Sequence, residues 1–169
     1  MVSRVIPVED FDLTIFGGTG DLARRKILPG LLRRFCAGQM PPNARIIGVA
    51  RGDMTDQAYR DLVAEGIAEF GEPALARRPE LDAFLDQLTY LSVDAMGQRG
   101  WPELKTHLRQ DVVQAFYFSV APALFGDIAQ RLKSHGIADD NARVVVEKPF
   151  GKDLPSAQAL NAALAASFA

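Results

Sequence analysis

Phe11-Asp12-Leu13-Thr14-Ile15-Phe16-Gly17-Gly18-Thr19-Gly20-Asp21-Leu22-Ala23 reads as a short, almost fully apolar strand that turns over glycines directly into a helix. Gly18, Gly20 and Ala23 satisfy G-x-G-x-x-G/A, in which small residues allow a tight turn, close approach of backbone to a pyrophosphate, and close helix-strand packing. The pattern alone is weak, but a strand precedes it and an amphipathic helix follows. A second strand, Arg45-Ile46-Ile47-Gly48-Val49-Ala50, comes where a βαβ unit would put it. The physics of such a turn is anion binding, because the first N–H groups of a helix lack intrahelical partners and carry the positive end of its dipole. Arg24, Arg25 and Lys26 follow within the first turns, where each exposed cation costs about 0.3–1 kcal/mol. Two readings stand for them: a negative ligand offsets the three charges, or Asp21 caps the helix and the cations point into water.

The chain has 169 residues, enough for one domain with a substantial core. Apolar content of 48%, charged content of 24% and a net charge of −2 are ordinary for a soluble globular protein. Acidic and basic residues interleave, so no nucleic-acid or anionic-membrane surface is expected. No apolar run approaches the roughly 20 residues that span a bilayer, and no signal-peptide core is present, so a cytoplasmic location is the expectation. Cys36 is the single cysteine, which excludes an internal disulfide and a cysteine-based metal cluster; it is expected in the core beside Leu31, Leu32 and Phe35. His107 and His135 fall on polar stretches of helices without a partnered motif and are expected at the surface rather than as catalytic bases.

Residues 1–10 form a lead-in, and 11–169 one alternating unit. A helix is expected from about Asp21 to Ala37, ended by Gly38, with a kink or a break where Pro29-Gly30 interrupts it. The second strand ends at Ala50-Arg51-Gly52-Asp53. In a dinucleotide fold that position reads the 2′ group of the adenosine ribose, a carboxylate for a hydroxyl and an arginine for a phosphate. Arg51 at the strand end favours NADP over NAD, while Asp53 stands two residues later. Thr55 caps a helix to about Glu69, and Leu75–Leu88 reads as a helix or a pair of helical turns. Thr89–Asp94 is a third strand, whose Asp94 either lines a ligand crevice or caps the next helix. A helix over about Gly97–Arg109 carries Trp101 as a packing anchor. Val112–Val120 is strongly strand-like, apolar on both faces and so expected between helix layers. A helix from Ala121-Pro122 to Gly136, a strand Ala142–Val146 and a helix from about Leu154 to Phe168 complete the alternation. The fold class is α/β: a doubly wound, mainly parallel, Rossmann-like sheet with helices on both faces.

The last strand leads into Glu147-Lys148-Pro149-Phe150-Gly151. Two opposite charges, then proline and glycine, at the carboxyl edge of the sheet form a ligand-facing turn or a plain surface ion pair. Lysine there can meet a phosphate or a sugar hydroxyl, and Lys148–Pro149 is a candidate cis bond. Together with Gly17-Gly18-Thr19-Gly20-Asp21-Leu22-Ala23, with Arg51, and with Phe116-Tyr117-Phe118-Ser119-Val120-Ala121-Pro122, this pentapeptide resembles the glucose-6-phosphate dehydrogenase family. The resemblance covers nearly the whole chain from Phe11 onward, with four separated motifs in the family's order.

That resemblance implies oxidation of D-glucose 6-phosphate at C1 to 6-phosphoglucono-1,5-lactone with hydride passing to NADP, the opening step of the oxidative pentose phosphate pathway. It implies that Gly17, Gly18, Thr19, Gly20, Asp21 and Leu22 hold the coenzyme pyrophosphate and Arg51 the 2′-phosphate. Asp94 joins this set as a candidate coenzyme contact. Lys148 would lie between coenzyme and sugar phosphate, with Pro149 carrying the cis bond. It also implies a homo-oligomer at full length. Position 24, usually lysine in the family, is Arg24 here, which keeps the charge. The family's general base is a histidine in an Arg-Ile-Asp-His-Tyr-Leu-Gly-Lys-Glu segment that has no counterpart up to Ala169, and the large substrate domain is missing as well. The expectation is therefore a coenzyme domain without a catalytic base, inactive alone. A standalone NADP-binding regulatory or scaffold module is the second reading. A short-chain dehydrogenase needs Tyr-x-x-x-Lys, and Tyr59, Tyr90 and Tyr117 are followed four residues on by Val63, Asp94 and Ala121.

Overall fold

The computed structural model describes residues 10–40, 43–71, 73–137 and 142–146. The motif Glu147-Lys148-Pro149-Phe150-Gly151, the expected helix over 154–168 and the lead-in over 1–9 lie outside them.

Five strands, β1 (Phe11–Phe16), β2 (Arg45–Ala50), β3 (Leu88–Ser92), β4 (Val113–Phe118) and β5 (Arg143–Val146), form one sheet in the order β3-β2-β1-β4-β5. Every pairing is parallel, with Ile15 opposite both Gly48 and Tyr117. Parallel neighbours need crossovers, and these are α1 (Leu28–Cys36), α2 (Asp56–Phe70), α3 (Leu81–Asp86), α4 (Trp101–His107) and α5 (Phe125–Ser134). The winding reverses at β1, where the chain leaves β3 at one edge and returns on the other side as β4. This is the doubly wound arrangement expected from the alternation, and its switch point lies between β1 and β4.

The period-2 geometry of the strands sends alternate side chains into two cores. Leu13, Ile15, Ile46, Leu88 and Tyr90 pack on one face with Leu28, Leu32, Tyr59, Val63, Ile67 and Phe84. Phe16, Ile47, Val49, Phe116 and Phe118 pack on the other with Trp101, Leu104, Ile128 and Leu132. Trp101 is fully buried, stacked on Phe16 at 5.6 Å and on His135 at 5.7 Å, with its Nε1 donating to the Asp94 carbonyl at 2.9 Å. It is the packing anchor that the sequence predicts. On β4, Gln114, Phe116 and Phe118 are buried while Val113, Ala115 and Tyr117 are half-buried, so among the described residues only one face is fully covered.

Several boundaries differ from expectation for local reasons. The helix after the glycine turn begins at Asp21, widens into a π-helical turn over Ala23–Ile27, and continues as α1. The Leu28 N–H donates to the Ala23 carbonyl, five residues back. Pro29 explains the widening: it lacks an N–H and its ring would strike the Arg25 carbonyl in a regular α-helix, so the break occurs one turn before the proline. The segment Leu75–Leu88 splits at Pro79 into a short 3-10 turn, Leu75–Arg77, and α3, while Leu88 already opens β3. The helix expected over Gly97–Arg109 starts only at Trp101, because Gly100 at φ +90° turns the chain immediately before it. Thr55 caps α2 as predicted, its hydroxyl accepting from the Ala58 N–H at 3.0 Å.

The expected apolar character of β1 has one exception with structural weight. Asp12 is fully buried, and its carboxylate accepts from the Arg109 backbone N–H at 2.8 Å, Arg109 Nε at 2.9 Å, Arg109 Nη2 at 2.7 Å and Gln114 Nε2 at 3.2 Å. A charge without water is tolerable only when paired and hydrogen-bonded, and this network ties β1 to the segment entering β4. Cys36 is half-buried at the margin of the first core, where burial, then Glu80, push its thiol pKa up. No helix among the described residues is long and apolar enough to cross a membrane.

Candidate dinucleotide site at the carboxyl edge

The glycine turn leaves β1 at the switch point and is pinned on both sides. Gly17 and Gly18 both donate their N–H to the Val49 carbonyl of β2, at 2.9 and 3.0 Å, and the Ser119 N–H donates to the Phe16 carbonyl at 2.8 Å. Gly17 sits at φ +80°, and a Cβ there would stand 2.1 Å from the Ser119 carbonyl oxygen, so only glycine fits. The Gly20 N–H closes the turn on the Gly17 carbonyl at 3.0 Å, and the Arg24 N–H starts the helix on the Gly20 carbonyl at 3.1 Å.

The six turn residues singled out in the sequence fall into two groups. The N–H groups of Gly17, Gly18 and Gly20 are spent within the protein, whereas those of Thr19, Asp21 and Leu22 have no backbone acceptor among the described residues. Three donors without a backbone acceptor therefore stand at the positive end of a helix, next to a Gly20 whose added Cβ would meet only the Gly17 carbonyl, at 3.3 Å. The turn thus has the donors and the open front that a pyrophosphate requires. Among the described residues the Asp21 side chain makes no capping bond, and none is made at Leu22 before the π-helical turn, so the capping reading of Asp21 finds no support in the geometry.

The cations behind the turn have a destination that the sequence did not show. Arg25 lies over the Phe70 ring of α2 at 4.5 Å and Arg24 at 5.8 Å, so both are held by α2 rather than simply pointing into water. From the same helix Tyr59, fully buried, donates its hydroxyl to the Gly18 carbonyl at 3.0 Å. Its ring fills the space over Gly48 of β2, where an added Cβ would come within 2.2 Å of Cζ. Burial raises the Tyr59 phenol pKa far above its ordinary value, so it acts only as a neutral donor. Tyr59 is a site-forming residue that sequence reasoning placed only by its helical spacing. The available signal was the small Gly48 between the β-branched Ile47 and Val49, which marks a close approach.

Arg51 leaves the carboxyl end of β2 exposed, and its guanidinium makes no hydrogen bond or ion pair among the described residues. Its backbone is held firmly: the Arg51 carbonyl accepts from Ser92 Oγ at 3.0 Å and from Arg99 Nη2 at 2.7 Å, and the Gly52 carbonyl accepts from the Tyr90 hydroxyl. Asp94 follows the end of β3, where its Oδ1 accepts from the Met96 N–H at 2.9 Å and shapes a turn. It does not cap α4, whose N-cap is Gly100. Lys148 and Pro149 lie outside the described residues; β5 ends at Val146, opposite Phe118.

A separate concavity of about 1010 Å³ opens at the amino edge, lined in part by Asp10, Arg45, Thr89, His107 and Arg109. Size does not make it the coenzyme site. Ligands of open parallel sheets bind outside the carboxyl ends, and Arg109 is committed to Asp12. His107 ends α4 there, half-buried, with Nε2 3.1 Å from Thr89 Oγ1, and burial, then Arg45, lower its pKa. His135 follows α5 and stacks on Trp101, so neither histidine is the free surface residue expected, and neither stands near the glycine turn.

A family profile described as "Glucose-6-phosphate dehydrogenase, NAD binding domain" matches residues 14–169. The glucose-6-phosphate 1-dehydrogenase of Rhizobium meliloti is 43% identical over 163 residues, covering 95% of this chain and 33% of that protein. That of Mycolicibacterium smegmatis is 42% identical over 169 residues, covering 96% of this chain and 34% of that protein. The crystal structure of glucose-6-phosphate 1-dehydrogenase from Mycobacterium avium superposes with a TM-score of 0.80 at 36% identity, covering 94% of this chain and 34% of that one. The chain thus spans about a third of the length of the relatives it matches. With its switch-point glycine turn, its basic second-strand exit and this match over nearly all its length, the chain belongs to the glucose-6-phosphate dehydrogenase family, in the region of the NAD-binding domain.

Proposed function

We propose that the chain is the NADP-binding part of a glucose-6-phosphate dehydrogenase and is inactive by itself. The observation that carries this reading is the set of three N–H groups, Thr19, Asp21 and Leu22, at the switch point, and the Arg51 guanidinium at the exit of β2, all without a hydrogen-bond partner among the described residues. The pyrophosphate lies against those N–H groups, with Gly17, Gly18 and Gly20 shaping the turn, and Arg51 takes the 2′-phosphate. Asp94, whose Oδ1 is held by the Met96 N–H, offers its Oδ2 to a ribose hydroxyl. Lys148, preceding Pro149, meets the coenzyme and the sugar phosphate.

NADP, when bound, supplies the hydride acceptor for oxidation of glucose 6-phosphate at C1 to the lactone. This chain's residues bind and orient it. A proton must also leave the sugar hydroxyl, which requires a base within hydrogen-bond reach. His107 ends α4 and His135 follows α5, both at helix C-termini on the amino side of the sheet, so neither serves a site at its carboxyl edge. The full-length enzyme is a cytoplasmic homo-oligomer in this reading. A standalone regulatory module is not favoured, since the relatives named above are glucose-6-phosphate dehydrogenases.

Calorimetric titration of the 169-residue chain with NADP, paired with an assay for NADPH formation from glucose 6-phosphate, tests the proposal. Saturable binding without turnover is expected. Turnover by the purified chain would show that it holds its own base, and absence of NADP binding would remove the coenzyme assignment.

A further inference from the structure

We infer that Arg99 is a positioning residue that sets the preference for a 2′-phosphate over a free 2′-hydroxyl. This inference rests on the proposed role of Arg51 and extends it to a residue 48 positions away on the neighbouring connection. Arg99 follows β3, and its planar guanidinium addresses three groups of the strand exits together. Nη2 donates to the Arg51 carbonyl at 2.7 Å, Nη1 donates to Ser92 Oγ, and Nη1 lies 3.9 Å from Asp53 Oδ1. Ser92 Oγ in turn donates to the same Arg51 carbonyl, so the arginine and the serine close a small ring of bonds around it.

The consequence for recognition is electrostatic and geometric. A carboxylate just after the second strand is the group that a dinucleotide site uses to bind a free 2′-hydroxyl, and the same carboxylate repels a 2′-phosphate. Asp53 occupies that region, with its side chain 98% exposed, and Arg99 is its ion-pair partner. Arg51, Arg99 and Asp53 together carry one net positive charge; removing Arg99 makes the cluster neutral and frees Asp53. Arg99 also holds the Arg51 carbonyl, and with it the backbone that carries the Arg51 side chain, so this stretch of main chain is ordered before ligand arrives, a saving of ordering entropy on binding. Lysine at position 99 would supply charge without the fork that reaches Arg51 and Ser92 together.

The test is titration of the chain and its variants with 2′,5′-ADP and 5′-AMP, which isolate the adenosine end, and with NADP and NAD. For Arg99→Gln, 2′,5′-ADP and NADP affinity should fall about tenfold, the order of one lost charge-assisted interaction. 5′-AMP and NAD should hold or improve. Adding Asp53→Asn to Arg99→Gln should recover part of the NADP affinity, which loss of a purely structural contact would not allow. The Arg99 side chain is 52% exposed, and equal thermal midpoints for wild type and variant would confirm that folding is untouched. Equal losses for phosphorylated and unphosphorylated ligands in Arg99→Gln, or no change for either, would overturn the inference. Arg51→Ala separates the two levels: if it too leaves the preference intact, the reading of Arg51 fails; if it abolishes the preference and Arg99→Gln does not, only the role of Arg99 fails.

Discussion

The hydroxyl of Tyr59, on α2, donates to the carbonyl of Gly18 in the turn after β1, across 3.0 Å and 41 residues of sequence. The helix that follows the second strand thereby props up the glycine turn that follows the first. The ring reaches the turn only because Gly48, on the intervening strand, has no side chain.

Tyr59→Phe keeps the ring and removes one buried donor, leaving the Gly18 carbonyl unsatisfied. A loss of about 1 kcal/mol in urea denaturation is expected, with weaker NADP binding because the turn is less fixed. Gly48→Ala should cost more, about 1–3 kcal/mol as for an overpacked core, since the new Cβ falls 2.2 Å from the ring. If Tyr59→Phe leaves both stability and coenzyme affinity unchanged, the prop has no energetic role.

Asp12→Ala should be among the most damaging single changes in the chain. It strips Arg109 and Gln114 of their shared acceptor at the base of β1. Breaking a buried pair by removing one partner costs about 3–5 kcal/mol. Chemical denaturation of Asp12→Ala against Arg109→Ala and the double variant measures the coupling, and an additive cycle would contradict the network.

Acid should weaken the fold through His107. Its folded-state pKa is lowered by burial, then by Arg45, from an ordinary value of 6.5. Above that value the ring is neutral in both states and nothing is lost. As pH falls below 6.5, the unfolded chain takes up a proton first, so stability declines until the folded ring also titrates. His107→Gln should flatten the dependence of the thermal midpoint on pH in this window. An unchanged slope would place the acid sensitivity elsewhere.

Local pattern made the strands, the glycine turn and the Thr55 cap legible, because each is encoded by neighbours in sequence: alternating apolar residues, small residues before a helix, a hydroxyl at an N-cap. Pro29 forecast a break but not its form, since the choice of a π-helical turn depends on how the widened turn packs. What stayed hidden was the long-range polar pairing. Arg109 meets Asp12 over 97 residues, and Arg99 meets Arg51 over 48, and no periodicity encodes such partners. A signal existed for the first: a carboxylate within the apolar run of β1 demands a buried cation somewhere in the chain. For Arg99 none existed, because an arginine in a polar connection looks like any surface charge.

In the proposed function the coenzyme phosphates meet the turn at the carboxyl edge rather than the concavity at the amino edge. Amide-resolved NMR titration of the chain with NADP addresses it directly. Saturable shifts should concentrate at Thr19, Asp21 and Leu22 and at the Arg51 exit of β2, with Thr89, His107 and Arg109 unmoved. Shifts confined to the Thr89, His107 and Arg109 amides, with Thr19 to Leu22 silent, would contradict the account.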